Sequence, residues 1–311
     1  MSSWMNNLRV FGRQAPRNSN HPNQPPSRGN TASPAAYSPS SLTPPSIPPA
    51  PASPSLTASL PPNDMPPEPK EKKNEPLFFR EDYTALIVKG NFMTLAAKPQ
   101  QVEEGEWISH QLVEQTRLLA SMVKIVQEID KVQGRPICNE AKCPTMSAGP
   151  TTYTWIDTNR NPINLPAVTY IRHIQTWLGG KITDPALFPT DTFTVAPRVL
   201  SPEEQLNDPD FWLGKYSGFP QRFEIEVKNM YKQMFRCYAH LYWAHWLDFW
   251  HLGCWRELNT CFTHFVNVGR IFGLLSEKDM EPMAPLLNIW VKNGVLPAIQ
   301  KVEQPPPTSA A

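Results

Sequence analysis

The strongest constraint on this chain is a divided set of soft ligands. Cys138 and Cys143 stand in Ile-Cys-Asn-Glu-Ala-Lys-Cys-Pro, and His240 and His245 stand about a hundred residues later in Tyr-Ala-His-Leu-Tyr-Trp-Ala-His-Trp. Two thiolates and two imidazoles complete a tetrahedral zinc site and leave no position for water or substrate. A filled site of this kind fastens a fold and performs no chemistry. A Cys-x4-Cys loop followed by Pro suits a knuckle that aims two sulfurs at one point. The histidines fit less simply: at ~100° per residue, side chains five apart on a straight helix project about 140° from each other. Either the helix distorts, or one ligand reaches from its end. The plainer reading is two buried thiols and two helix-surface imidazoles, and spacing alone leaves both readings open. His251 and Cys254 are competing ligands on the same stretch, and His264 reads as a packed helical histidine.

Composition divides the 311 residues unevenly. Residues 1–75 are crowded with Pro, Ser and Asn and contain no Cys. Without an apolar period they bury too little surface to offset chain entropy, which predicts a disordered tail, with the charged run Glu68 to Glu75 as its linker. Ser33-Pro34, Ser38-Pro39, Thr43-Pro44 and Ser53-Pro54 suit proline-directed kinases, although a Pro- and Ser-rich tail generates such pairs by composition. Residues 76–302 hold all five Cys and nine of the ten Trp, enough for one domain with an ample core, and 303–311 read as a second disordered tail. The net charge of +1 supplies no global field toward nucleic acid or an anionic membrane. No apolar run approaches membrane-spanning length, and Met-Ser-Ser-Trp-Met-Asn-Asn-Leu-Arg lacks the apolar stretch of a signal peptide. An odd cysteine count without secretory context points to a reduced, intracellular compartment, where paired Cys are more often metal ligands than disulfides.

Along the domain, Pro76-Leu77-Phe78-Phe79 opens as an extended segment or short helix. From Trp107 to Ile129, the apolar residues Ile108, Leu112, Leu119, Met122, Val126 and Ile129 recur at helical steps, and Gly134 and Pro136 end the helix. After the cysteine loop, Cys138 to Pro150, the segments Tyr153–Ile156 and Ile163–Leu165 flank Asp157-Thr158-Asn159-Arg160 as a small β-hairpin. Pro166 starts a helix stopped by Gly179-Gly180. Residues 183–220, rich in Pro and Asp, read as a long surface connection. Further helices cover 221–250, about Glu257 to Phe272 (before Gly273), and Met283 to Val291. The predicted class is mainly α: a helical bundle with a small β-hairpin and a structural zinc site.

Two charged groups invite binding. Lys228, Lys232 and Arg236 follow an i, i+4, i+8 step toward His240, a stripe able to hold phosphate or carboxylate, or simply a solvated face. Glu103, Glu104 and Glu106 precede Trp107 at a helix start, where they suit the helix dipole and would also dock a basic partner helix. Trp243, Trp246 and Trp250 fall at helical spacing and read as core. The chain has no P-loop, Gly-x-Gly-x-x-Gly, His-Glu-x-x-His or Gly-x-Ser-x-Gly, and its scattered Asp and Glu form no catalytic pair.

Cys-Pro-Thr-Met-Ser-Ala-Gly-Pro (143–150), Leu-Phe-Pro-Thr (187–190), Met-Phe-Arg-Cys-Tyr-Ala-His-Leu-Tyr (234–242) and Leu-Asn-Thr-Cys-Phe-Thr-His-Phe (258–265) together resemble the MOB family of kinase activators, over residues 77–300. The resemblance implies a helical bundle with zinc on Cys138, Cys143, His240 and His245. It also implies a non-catalytic subunit that binds the basic N-terminal extension of an NDR/LATS-type serine/threonine kinase and favours its active state. Ile-Val-Lys-Gly (87–90), Gly-Glu-Trp-Ile (105–108), Leu-Pro-Ala (165–167), Lys-Gln-Met-Phe-Arg (232–236) and Val10-Phe11-Gly12-Arg13 look like the fungal morphogenesis branch. Kinase contacts would then fall on Glu103, Glu104, Glu106 and Trp107, with the protein in the cytoplasm, the nucleus and sites of polarised growth. The mitotic-exit branch usually has adjacent basic residues for phosphothreonine where this chain has Lys232-Gln233, so only Lys232 and Arg236 match. The stretch from Trp107 to Cys138 and the connection at 195–220 are longer than the family pattern, and Glu257 stands where the family often has His. A phosphopeptide-reading scaffold using Lys232 and Arg236 is the alternative binding function. A zinc hydrolase, which needs an open coordination position, is the alternative of another class.

Overall fold

The computed structural model describes residues 75–88, 90–190 and 199–298. The tail at 1–74 with its Ser/Thr-Pro pairs and Val10-Phe11-Gly12-Arg13, and the C-terminal tail at 303–311, lie outside the described residues.

The domain opens with two 3-10 turns, Leu77–Phe79 and Glu81–Tyr83, which bury Phe78, Phe79 and Tyr83. Helix α1 (Phe92–Ala96) is short and is capped by Asn91, whose side chain accepts from Met93 N–H at 2.9 Å. Between the second 3-10 turn and α1, the backbone at 84–88 and 90–91 has little regular structure of its own, so carbonyls here and at its two ends must find partners elsewhere. They find them on the helices. Asn259 donates to Tyr83 and Ala85 at 2.9 and 3.0 Å, Asn267 to Phe92 at 2.7 Å, and Trp290 to Thr84 at 3.0 Å.

Helix α2 (Glu104–Gln127) buries Ile108, Leu112, Leu119, Met122 and Val126, the stripe that the sequence spacing predicts. It stops earlier than expected. Ile129 is exposed and pairs with Pro136 in a two-residue ladder, β1 (Ile129–Asp130) with β2 (Arg135–Pro136). Gly134, at φ +66°, closes that turn instead of ending the helix. Two more antiparallel pairs follow: β3 (Ser147–Ala148) with β4 (Thr151–Thr152), and β5 (Trp155–Ile156) with β6 (Pro162–Ile163). The last is the expected hairpin. Its turn is held by Asp157, whose side chain accepts from the N–H groups of Asn159 and Asn161.

Helix α3 (Ala167–Ile182) runs through Gly179-Gly180 instead of stopping there. Thr183 Oγ1 donates to the Gly179 carbonyl at 2.9 Å, Lys181 pairs with Glu226 at 3.0 Å, and Ile182 is buried. These contacts offset the helix cost of glycine, roughly 1 kcal/mol per residue. The connection after it is not wholly a surface strand of chain. It contains α4 (Pro202–Leu206), with a capping box at Ser201, and a 3-10 turn at Lys215–Ser217. It also buries Leu187, Phe188 and Phe219, the two rings packing on Phe223 at 5.7 and 4.3 Å between centroids. Proline-rich composition marks the loss of a period, whereas aromatic anchors decide burial.

The long helix α5 (Phe223–His251) and α6 (Trp255–Ile271) complete the core with α2. Tyr238, Tyr242, Phe262 and Phe265 pack between them with centroids 5.1–6.4 Å apart. Trp246 and Trp250 are buried and Trp243 is half-buried, so the tryptophan row is indeed mostly core. The chain closes with α7 (Glu277–Met280), a 3-10 turn and α8 (Ala284–Lys292). The architecture is therefore mainly helical, with small antiparallel strand pairs.

Candidate functional site

The cysteine loop is built by one side chain. Asn139 Oδ1 accepts from Ala141 and Lys142 N–H, both at 3.1 Å, and its amide donates to the Pro136 carbonyl at 2.8 Å. Cys143 N–H then reaches the Asn139 carbonyl at 2.8 Å, which folds the loop into a turn with both sulfurs inward. Cys138 N–H donates to Val126 at the end of α2, and the Cys143 carbonyl accepts from Ala167 at the start of α3. The knuckle is thus fixed to two helices before any ion is considered.

Opposite it, α5 passes through both histidines without a break. The helix neither distorts nor ends there. The two imidazoles lean inward from its flanks, with ring centroids 5.3 Å apart. Cys138 Sγ lies 3.9 Å from His240 Nε2, Cys143 Sγ lies 3.5 Å from His245 Nε2, and all four ligand atoms fall within 4.8 Å of one another. A tetrahedron with bonds of about 2.3 Å to sulfur and 2.0–2.1 Å to nitrogen has S···N edges of roughly 3.6 Å, so the observed spacing fits a small dication. All four residues are buried, and they are the one such group among the described residues. His251 is exposed and neither it nor Cys254 joins the group.

The outer nitrogens settle the tautomers. His240 Nδ1 is 2.9 Å from the Ser147 carbonyl, and His245 Nδ1 is 2.9 Å from Asp248 Oδ2, so each ring turns Nε2 toward the centre. Hydrogen bonding from Cys138 pulls the Cys143 thiol well down, while the same contact and burial push Cys138 far up. Two buried thiols competing for one proton are a donor set from which a metal ion displaces protons. Burial works against charge on His245, but its bonds to Asp248 and Cys143 outweigh it and raise its pKa. An ion bound by all four residues would have no coordination position left for an activated water.

The cation stripe is already partnered. Lys228 pairs with Glu224 at 2.6 Å and Lys232 with Asp279 at 3.0 Å. Arg236 lies over the Tyr153 ring at 5.0 Å and donates to Tyr170 Oη at 2.7 Å and Gln233 Oε1 at 3.2 Å. Tyr170 in turn donates to Gln233 Oε1 at 3.2 Å. Gln233 thus serves as an acceptor for its neighbours, a role no lysine or arginine at that position could take.

The three acidic residues separate in the structure. Glu103 is buried and caps α2: Oε2 accepts from Gly105 and Glu106 N–H at 2.8 and 3.2 Å, and Oε1 accepts from Gly214 N–H at 3.2 Å. Burial pushes its carboxyl up, against backbone donors that favour its charge. The helix and the Gly214 turn meet so closely that a Cβ on Gly105 would lie 2.7 Å from Gly214 Cα. Glu103 is therefore a tie inside the fold, a correction to its expected place on a docking face. Glu104 and Glu106 are half-buried and have no ion pair among the described residues. Trp107 stacks on His110 at 5.2 Å and donates to the Ala96 carbonyl at 2.9 Å, so it joins α2 to α1. On α1, Met93 and Leu95 are 41 and 54 % exposed, and in the segment before it Ile87 and Val88 are 55 and 49 % exposed. Glu257 is half-buried on α6, where its charge adds to burial in raising the Cys254 and Cys261 thiols.

Sequence reasoning missed the supports: Asn139, Ser147, Asp248, Lys142 and Gly214. Asp248 had a signal, because it lies one helical turn after His245. Ser147 acts through its backbone and had none.

A family model described as "Mob1/phocein family" matches residues 84–283. "Maintenance of ploidy protein mob2" of Schizosaccharomyces pombe is 31 % identical over 67 % of this chain and 73 % of its own length. "CBK1 kinase activator protein MOB2" of Saccharomyces cerevisiae is 29 % identical over 93 % of this chain and 97 % of its own length. The protein of the same description in Candida albicans is 31 % identical over 73 % of this chain and 63 % of its own length.

Proposed function

We propose that this chain, which belongs to the Mob1/phocein family, is a non-catalytic activator subunit of a serine/threonine protein kinase of NDR/LATS type. Its fungal relatives named as kinase activators support the activator role. The kinase's basic N-terminal extension binds at the start of α2. Glu104 and Glu106, the two acids without an internal cation, meet its basic residues. Trp107 and the exposed apolar residues of 87–95 supply the contact area, which carries more affinity than the charges do. Glu103 stands behind this face and holds it in place. Binding activates only to the extent that it favours the kinase's active conformer.

The ion is zinc, held by Cys138, Cys143, His240 and His245; the observation that carries this is a buried set of two sulfurs and two nitrogens at tetrahedral-edge distances. Its part is structural, keeping the knuckle on α5, and a hydrolase would need a vacant position that this ligand set does not leave. Absorption of a cobalt-substituted sample tests that point, since a water ligand would argue for hydrolysis. The setting is intracellular, in polarity and morphogenesis. The partnering of Lys232 and Arg236 by Asp279, Tyr170 and Gln233 favours this reading over a phosphopeptide scaffold.

The test is a titration of the kinase extension against Glu106→Lys. An exposed charge pair is worth about 0.2–1 kcal/mol, so reversing one partner removes roughly 0.4–2 kcal/mol, a two- to thirtyfold loss. Unchanged affinity removes Glu106 from the interface. A phosphothreonine peptide that binds more tightly than its unphosphorylated form would favour the scaffold instead.

A further inference from the structure

We propose that Lys142 and Asp248 form an outer latch of the metal centre, with Asp248 positioning His245 and Lys142 positioning Asp248. The proposal rests on the reading of the four ligands as a metal site. A single oxygen carries the latch: Asp248 Oδ2 is 2.9 Å from His245 Nδ1 and 2.7 Å from Lys142 Nζ. Lys142 belongs to the cysteine knuckle and immediately precedes Cys143. The carboxylate therefore joins helix to knuckle alongside the Cys143–His245 edge, a second tie that does not pass through the ion.

The two halves of the centre are held differently. His240, 1 % exposed, is oriented by the Ser147 backbone carbonyl. His245 is oriented by side chains that water reaches, since Lys142 and Asp248 are 41 % and 26 % exposed. Lys142 and Asp248 also line an open groove with Leu77, Trp243, Leu247 and His251. One half-site is thus fixed by backbone and the other by an accessible ion pair. A carboxylate on the outer nitrogen of a ligating imidazole fixes its tautomer and raises its basicity. The His245 half is where retention of the ion is set by side-chain chemistry.

The experiment uses the full chain. Zinc affinity is measured by chelator competition for the wild type, Asp248→Ala, Asp248→Asn and Lys142→Met, with melting of each in excess zinc and after chelation. Asp248→Ala weakens zinc roughly 10–100-fold, as outer-partner loss does elsewhere. Asp248→Asn, which keeps an acceptor for Nδ1, and Lys142→Met, which keeps the carboxylate, weaken it less. Wild-type affinity in Asp248→Ala overturns the latch, as does a melting loss equal with and without zinc. If Asp248→Ala does not fold, Lys142→Met decides: weakened zinc retention supports the latch and wild-type retention overturns it. A wild-type chain that binds no zinc removes the metal reading, and the latch falls with it.

Discussion

Replacing Glu103 with alanine should destabilise the domain while leaving the half-buried acids of α2, Glu104 and Glu106, chemically intact. The carboxylate accepts from three backbone N–H groups, two in the first turn of α2 and one on Gly214, across 111 residues of sequence. Loss of an N-cap acceptor costs about 0.5–2 kcal/mol. The Gly214 N–H faces Glu103 in a tight glycine–glycine contact, and stranding a buried donor costs about 1–3 kcal/mol. The sum is roughly 1.5–5 kcal/mol, read as a lower midpoint with little change in slope in urea unfolding of the zinc-loaded chain. Glu106→Ala is the control, since its half-exposed carboxylate has no ion pair among the described residues, and it should stay within about 0.5 kcal/mol of wild type. Binding of the kinase extension, measured well below the transition, should be reduced more by Glu106→Lys than by Glu103→Gln. A Glu103→Ala midpoint indistinguishable from wild type would refute the view of Glu103 as a tie inside the fold.

Three further outcomes follow from particular contacts. Cys138→Ser should lower stability as well as binding, because a buried ligand of the knuckle is lost; wild-type melting with full metal retention would contradict this. Asn259→Ala leaves the Tyr83 and Ala85 carbonyls without their donor and the buried Tyr242 hydroxyl without its acceptor, at a cost of about 1–3 kcal/mol for each stranded group, and hydrogen exchange should report loosening at 83–85 and where α5 and α6 meet. Gly105→Ala forces the first turn of α2 away from Gly214, so urea unfolding should show a loss of about 1–3 kcal/mol that exceeds the gain in helix propensity.

The long helices were legible because each buries a broad stripe, and apolar spacing reports a stripe directly. Their ends were less so. α2 gives way to a two-residue ladder at Ile129, and α3 continues through Gly179-Gly180 because Lys181 and Ile182 have partners beyond the helix. The four residues that converge could be picked out from residue type, yet the 140° problem was not soluble from spacing, since the answer lies in side chains held inward by Ser147 and Asp248. The acidic cluster looked like three equivalent charges. Only the close approach of Gly214 distinguishes Glu103 from its neighbours, and a contact between residues so far apart leaves no trace in local sequence.

As proposed, one ion fastens the cysteine knuckle to α5, and the knuckle is bonded in turn to the end of α2, whose first turn carries the proposed kinase face. Metal content of the purified full chain, measured together with melting and kinase-extension binding before and after chelation, tests it most directly. The account predicts one zinc per chain, with both folding stability and binding lost when it is removed. A metal-free chain that is fully folded and binds the extension as tightly as the untreated protein would contradict it.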